Sequence, residues 1–301
     1  MANKTIISAK ANENLTNFEN YLLDNAFSPN TVKGYICNLK LFATWEDNQN
    51  KDLDTLSRQD IIGYKDYLKN IKRQDSKTVN HKLSSLKKYN EYLIDIDAMD
   101  TIVIIKKDMF KVQTEFANPT DITKDDVKKF FSDIKNDKNN KTAIRDFAIV
   151  YLLAYTGIRI SECLNIQYDD LDLTEQEVII TGKGNKQRVV YLNDNVCAVL
   201  KEYLDTNRTA THYGQYVKSK YVFISNRSEK LTTSRVNQIF DKYNDKIHPH
   251  SLRHWFCTNA LESGMLLHEI ANQAGHANIQ ITMRYTNPTK QTLKNKMNNL
   301  M

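Results

Sequence analysis

Apolar residues in the N-terminal third of the chain recur at intervals of three and four, the spacing that lines one face of an α-helix. Leu15, Phe18 and Leu22 mark a first helix, and Val32, Tyr35, Ile36, Leu39 and Phe42 a second. Tyr64, Tyr67, Leu68 and Ile71 mark a third, and Val79, Leu83, Leu86, Tyr89 and Leu93 a fourth. Ser28-Pro29 gives the second helix a capping hydroxyl and a proline at its first turn. The stripes predict a four-helix domain over residues 1–98. Between 99 and 119 the period lapses and the stretch ends at Pro119, so an interdomain linker is placed there.

A second domain follows over 120–301. Asp121-Ile122-Thr123-Lys124-Asp125-Asp126 has the form of a capped helix start. Residues 144–155 are apolar nearly all round, which predicts a buried helix. Two β-branched runs, 178–181 and 189–192, flank the polar turn GKGNKQR and predict a hairpin; 221–224 is the candidate third strand. From Thr232 the patterns are helical again. They end in a short tail helix at about 290–300 that carries Leu293, Met297 and Leu300. The expected fold class is mainly α with a small β-sheet, an α+β chain of two domains.

Composition adds less than pattern. A chain of 301 residues is long enough for two cores, and 41% hydrophobic with 26% charged residues is a globular balance. No apolar run approaches the ~18 residues of a membrane span, and the N-terminus lacks the build of a signal peptide. Cys37, Cys163, Cys197 and Cys257 are scattered, with no C-x-x-C pair, and read as reduced thiols of a cytoplasmic protein. A net charge of +6 favours an anionic partner without naming one. Lys72, Arg73, Lys77, Lys82, Lys87 and Lys88 crowd the turn before the fourth helix and its first half, opposed by Asp75 alone. A solvated helix face is the ordinary explanation of such a run; contact with DNA is the functional one.

Residues 248–256, HPHSLRHWF, raise the chemical question. His250 and His254 are four apart, as two metal ligands on one helix face would be. The residues between them are Ser-Leu-Arg rather than those of a zinc-protease helix, Arg253 adds a permanent cation, and no third ligand is near. His254, beside Trp255 and Phe256, reads as a core histidine. The anion reading fits better: Pro249 opens a helix and sets His250 and Arg253 one turn apart near its N-terminus, where backbone N–H groups and the helix dipole favour negative charge. Elsewhere, Arg159 and Glu162 lie three apart just after Gly157, a pair that reads as structural as readily as functional. Lys183 sits between Gly182 and Gly184, alone an ordinary hairpin tip. Gly275-His276 precedes Tyr285, one of 16 tyrosines.

Taken in order, Arg-x-x-Glu, Gly-Lys-Gly, His-x-x-Arg, Gly-His and Tyr resemble the tyrosine recombinase family of phage integrases and Xer-type recombinases. The four-helix domain resembles that family's core-binding, SAM-like domain. The resemblance implies a C-shaped clamp on double-stranded DNA. Tyr285 would attack a phosphodiester to give a 3′-phosphotyrosyl link and a free 5′-hydroxyl. Arg159 and Arg253 would hold the nonbridging oxygens, Lys183 would protonate the leaving oxygen, His250 would help take the tyrosine proton, and His276 would bond the phosphate. Glu162 would orient Arg159, and no metal or other cofactor would be needed. A homotetramer on two sites would exchange strands through a Holliday junction, with the tail helix docked on a neighbouring protomer. This chain has Ala274 where the family commonly has leucine, and Lys186 competes with Lys183 for the leaving-group role. A relaxing topoisomerase or telomere resolvase, a DNA-binding regulator without catalysis, and a metal hydrolase are the alternatives. Integration, excision, cointegrate resolution and dimer resolution all stay open, with the compact length favouring resolution.

Overall fold

The structure is a computed structural model that describes residues 8–49, 51, 53–112, 122–206, 210–212, 215–217, 219–225, 228–276, 278–283 and 297–298. The chain divides into two compact units, Met1–Thr114 and Glu115–Met301. It is mainly helical, with one three-stranded sheet and one two-stranded hairpin among the described residues. No described helix is long and apolar enough to cross a membrane.

The first unit holds α1 (Ala9–Asp24), α2 (Pro29–Asp47), α3 (Arg58–Asp66) and α4 (Ser76–Asp95). The predicted stripes form its core: Phe18, Leu22, Leu39, Phe42, Val79, Leu83 and Tyr89 are buried. Ser28 caps α2 by accepting the Thr31 N–H, with Pro29 behind it. Ile71 departs from expectation and is exposed. The third helix ends in a π-helical turn, Tyr67–Ile71, in which the Lys72 N–H reaches back to the Tyr67 carbonyl. That wider turn carries Ile71 out of phase with the buried Leu68.

Part of the stretch expected as a linker belongs to this unit. Ile104 and Asp108 are buried, and two asparagines of α4 pin the segment down. The Asn90 amide donates to the Thr101 carbonyl at 3.1 Å and its Oδ1 accepts the Val103 N–H at 2.7 Å. Asn80 pairs in the same way with the backbone of Phe110, at 2.9 and 2.8 Å. Arg58 pairs with the Asp108 carboxylate. Extended chain held by side-chain amides has no apolar period, which is why the packing is silent in the pattern. Residues 113–121, with Pro119 and Asp121, lie outside the described residues.

The second unit begins with α5 (Lys124–Lys135), opened by a Thr123–Asp126 capping box. Next comes α6 (Ala143–Thr156), buried on nearly every side as predicted and packed against α5 and later helices. Gly157 ends it at φ +65°, where an added Cβ would lie 2.3 Å from the Phe256 ring. A one-turn α7 (Ile160–Cys163) leads to strands β1 (Leu171–Asp172), β2 (Glu177–Thr181) and β3 (Gln187–Tyr191). They form an antiparallel sheet in the order β1-β2-β3, with Ile179 opposite Val189.

The hairpin was legible, but the third strand is β1 and not 221–224. That run makes one isolated bridge, Tyr221 with Gln167, and buries Val222 and Phe223 in the core. A short apolar run between turns has the same signature whether it pairs as a strand or fills a core. The unit continues with α8 (Asp194–Asp205), the hairpin β4 (Ala210–His212) and β5 (Gln215–Val217), α9 (Thr233–Tyr243), α10 (Pro249–Glu262), α11 (Leu267–Ala274) and α12 (Ile279–Met283). Helices α6, α8 and α10 pack together at its centre.

Candidate active site

Three chain reversals in the second unit bring the candidate residues toward one place. The first is the turn after α6, where Arg159 takes the N-cap position of α7. Its backbone N–H donates to Glu162 Oε2 at 3.0 Å and its Nη1 to Glu162 Oε1 at 2.9 Å. Glu162 is 6% exposed while the Arg159 side chain is 45% exposed, so a buried carboxylate aims a cation at solvent. Burial pushes the Glu162 carboxyl up, but hydrogen bonds from Arg188 and Arg159 outweigh it and hold the group below the usual carboxylate range.

The second reversal is the α11 C-terminus. Gly275 closes the helix at φ +73°, and His276 follows with its Nδ1 2.8 Å from Thr282 Oγ1. Burial, reinforced by the guanidiniums of Arg253 and Arg159, pushes His276 down from 6.5 to about 4. The ring is therefore neutral near pH 7, a hydrogen-bonding group rather than a fixed charge. The third is the β2–β3 turn, closed by a Gly182 N–H to Lys186 carbonyl bond of 2.8 Å. Gly184 there has φ +74°. Lys183 sits between the two glycines, with its side chain outside the described residues. Lys186 is exposed. A cavity of about 700 Å³ is lined by Arg159, Glu162, Lys186, Arg188 and His276. Glu162 is the only carboxylate among the described residues that line it.

Arg253 lies behind this cavity, 6% exposed on α10. Its Nη1 donates to the Gly157 carbonyl at 2.6 Å and also to the Ala274 carbonyl. One guanidinium thus ties the turn that carries Arg159 to the turn that carries His276. His250, one turn earlier, is exposed and lines a neighbouring cavity of about 470 Å³ with Asn237, Asp241 and His248. The core reading of His254 does not hold: the ring is half-buried, with Nε2 2.9 Å from His250 Nε2 and the two rings edge to face at 4.4 Å. The spacing of four that brings these rings together also turns His254 away from full burial. No group of three or more His, Cys, Asp or Glu suited to a metal ion comes together among the described residues. Tyr285 and most of the tail lie outside them.

Sequence reasoning missed Arg188, which donates to both oxygens of Glu162, at 3.3 and 2.8 Å. A signal was present. On β3 this arginine is in phase with the buried Val190, and an arginine on the inward face of a strand needs a partner.

The basic cluster of the first unit is only partly a surface. Lys72, Arg73, Lys77 and Lys87 are exposed. Lys82 is 9% exposed, and burial pushes its amine down from the usual lysine range. It stands three residues after Val79 and so falls on the inward stripe of α4. Lys88 pairs with Glu91 at 3.1 Å and lies over the rings of Phe27 and Tyr21, at 5.3 and 5.8 Å. These two do not stand free on an outward face.

Matches to known proteins cover both units. Residues 120–292 match the phage integrase family and residues 15–96 its N-terminal SAM-like domain. The chain is 48% identical over 282 residues to the TnP I resolvase of Bacillus thuringiensis, covering 93% of this chain and 97% of that one. It is 30% identical to tyrosine recombinase XerD of Listeria innocua, covering 94% and 96%. The fold is similar to that of the XerH site-specific recombinase in its post-cleavage complex with a palindromic difH substrate, at TM-score 0.70 and 22% identity over 89% of this chain and 79% of that one. A family match across the unit that holds Arg159, Glu162, Arg253 and His276, joined to a relative nearly half identical over almost the whole length, places this chain in the phage integrase family of tyrosine recombinases, the enzymes of site-specific DNA recombination.

Proposed function

We propose that this recombinase cuts and rejoins duplex DNA through Tyr285 and that it serves a mobile element, resolving cointegrates or dimers. The observation that carries the chemistry is the cavity lined by the exposed Arg159 and a half-buried, neutral His276, with Arg253 tying their two turns together behind. The resolvase name of the relative at 48% identity supports the biological role.

In this reading the Tyr285 phenol oxygen bonds to the scissile phosphorus as the bond to the 5′-oxygen breaks. The leaving oxygen takes a proton from Lys183, and the phenol proton passes toward His250. A phenol with a pKa near ~10 needs such help at neutral pH. Arg159 and Arg253 stabilise the charge that grows on the nonbridging oxygens, and His276 donates a hydrogen bond to them. The step needs neither metal nor nucleotide. The exposed Lys72, Arg73, Lys77 and Lys87 would meet phosphates, while Lys82 and Lys88 would act through packing. The two units would close on the duplex as a clamp. Four protomers in the cytoplasm would exchange strands through a Holliday junction, each tail (residues 290–301) seated on a neighbour.

The test begins with the full chain and a random library of nicked duplexes, in which departure of a short strand traps covalent product. Wild type should give an SDS-resistant DNA adduct, unchanged by a chelator, whose sequenced ends define the site. Tyr285→Phe should give none. An adduct with the Phe variant, or none with wild type, removes the reading. A plasmid with two copies of the recovered site then separates recombined products from simple relaxation.

A further inference from the structure

We propose that Arg188 is a positioning residue for the phosphate clamp. It leaves the Arg159–Glu162 group with a net positive charge by sharing Glu162, and it fixes the turn that presents His276. The inference rests on the covalent chemistry proposed above.

The Glu162 carboxylate accepts four N–H groups. Oε1 takes Arg159 Nη1 at 2.9 Å and Arg188 Nη1 at 3.3 Å. Oε2 takes the Arg159 backbone at 3.0 Å and Arg188 Nη2 at 2.8 Å. Two guanidiniums therefore share one negative charge. With Arg159 alone, the pair would be neutral and its pull on a phosphate weak; with Arg188 added, the group keeps one net positive charge. The Arg188 side chain is 19% exposed and the Arg159 side chain 45%. Both guanidiniums line the cavity, with Arg159 the more exposed of the two.

The same Arg188 fork reaches the α11 terminus. Nη2 lies 3.3 Å from the Ala274 carbonyl and Nε 3.5 Å from that of Gln273. The turn rests directly on it, because a Cβ built on Gly275 would lie 2.4 Å from Arg188 Cζ. Glycine before His276 thus serves both the positive φ and the close approach of the guanidinium. A lysine nitrogen can stand in for Nη2 at most, and has no planar fork to serve the second Glu162 oxygen and the Gln273 carbonyl as Nη1 and Nε do.

The test uses the full chain and the nicked duplex recovered from the library, in single-turnover cleavage. Arg188→Gln should slow adduct formation by about 10–100-fold, the usual loss when a supporting partner is removed. Duplex affinity should stay within about twofold, since the contact is internal. Arg188→Lys should not restore the rate. Glu162→Gln should also slow cleavage, and the double variant should be no slower than the slower single, because the two residues act as one unit. A merely structural arginine would instead lower the melting point and duplex affinity together. Wild-type rates in Arg188→Gln, or losses that multiply in the double variant, overturn the inference. If Arg188→Gln does not fold, a wild-type rate in Arg188→Lys overturns it equally. Absence of any adduct with wild type defeats the covalent reading instead, and so the two failures are distinct.

Discussion

Among the described residues of the second unit, two arginine–carboxylate groups are of opposite design. In the first, Arg145 donates to Asp146 Oδ1 through Nε at 3.0 Å and Nη2 at 2.8 Å, and through Nη1 to the Ile224 carbonyl at 3.1 Å. Asp146 Oδ2 accepts from Asn140 and Thr142, both at 3.0 Å. The two side chains are 8% and 2% exposed, one charge against one, closed to solvent. In the second, one carboxylate, Glu162, serves two guanidiniums, and the group lines a cavity, Arg159 being its most exposed member. The contrast shows how a protein uses buried ions: a balanced pair holds chain together, whereas an excess of one sign beside a cavity is available to a ligand.

The largest test of the contrast is at the closed pair. Asp146→Ala leaves the Arg145 cation buried without its counter-ion and should cost about 3–5 kcal/mol of stability by chemical denaturation. Cleavage per folded molecule should be unchanged. Replacing both residues by apolar ones of similar volume should recover much of the loss. Next comes the open group. Arg159→Ala should slow adduct formation by about 10²–10³-fold, the effect of losing one preorganised donor to a developing oxyanion. Its melting point should barely move, because the side chain is already 45% exposed. Equal destabilisation by the two variants would erase the distinction between the groups.

How much of this was legible depends on the kind of interaction. The α1, α2 and α4 stripes, the buried α6 and the β2–β3 hairpin follow from local period, and the structure has them. Arg159 and Glu162 were legible because they stand three positions apart at a helix start. The strand phase hinted that Arg188 points inward, but its partners were not legible, because Glu162 stands 26 residues away and Ala274 86, and they meet only when the hairpin folds onto α11. The packing of 99–112 escaped for the same reason: Asn80 reaches Phe110 across 30 residues through an amide that leaves no hydrophobic trace. Lys82 misled because a cluster of like charges hides which member falls on the inward stripe.

The smallest effect compares the two units by pH. His276 lies at about 4, pushed down first by burial and then by Arg253 and Arg159. Between pH 6.5 and 4 the unfolded chain therefore binds a proton there that the folded chain refuses, so the second unit loses stability as pH falls through that window. The first unit carries the opposite sign. Burial and then the nearby charge of Asp60 raise Glu46 to about 7, so the folded state holds a proton between 4.5 and 7 that the unfolded state releases, and acid favours folding. The chain has two tryptophans, one in each unit: Trp45 packs on the first core and Trp255 lies in the second. Single-tryptophan variants can therefore report the two transitions separately. On going from pH 7 to 5 the Trp255 denaturation midpoint should fall while the Trp45 midpoint rises. His276→Gln should flatten the first response and leave the second unchanged. If both midpoints moved in the same direction, a buried imidazole kept neutral at position 276 would not be what distinguishes this cavity from the rest of the molecule.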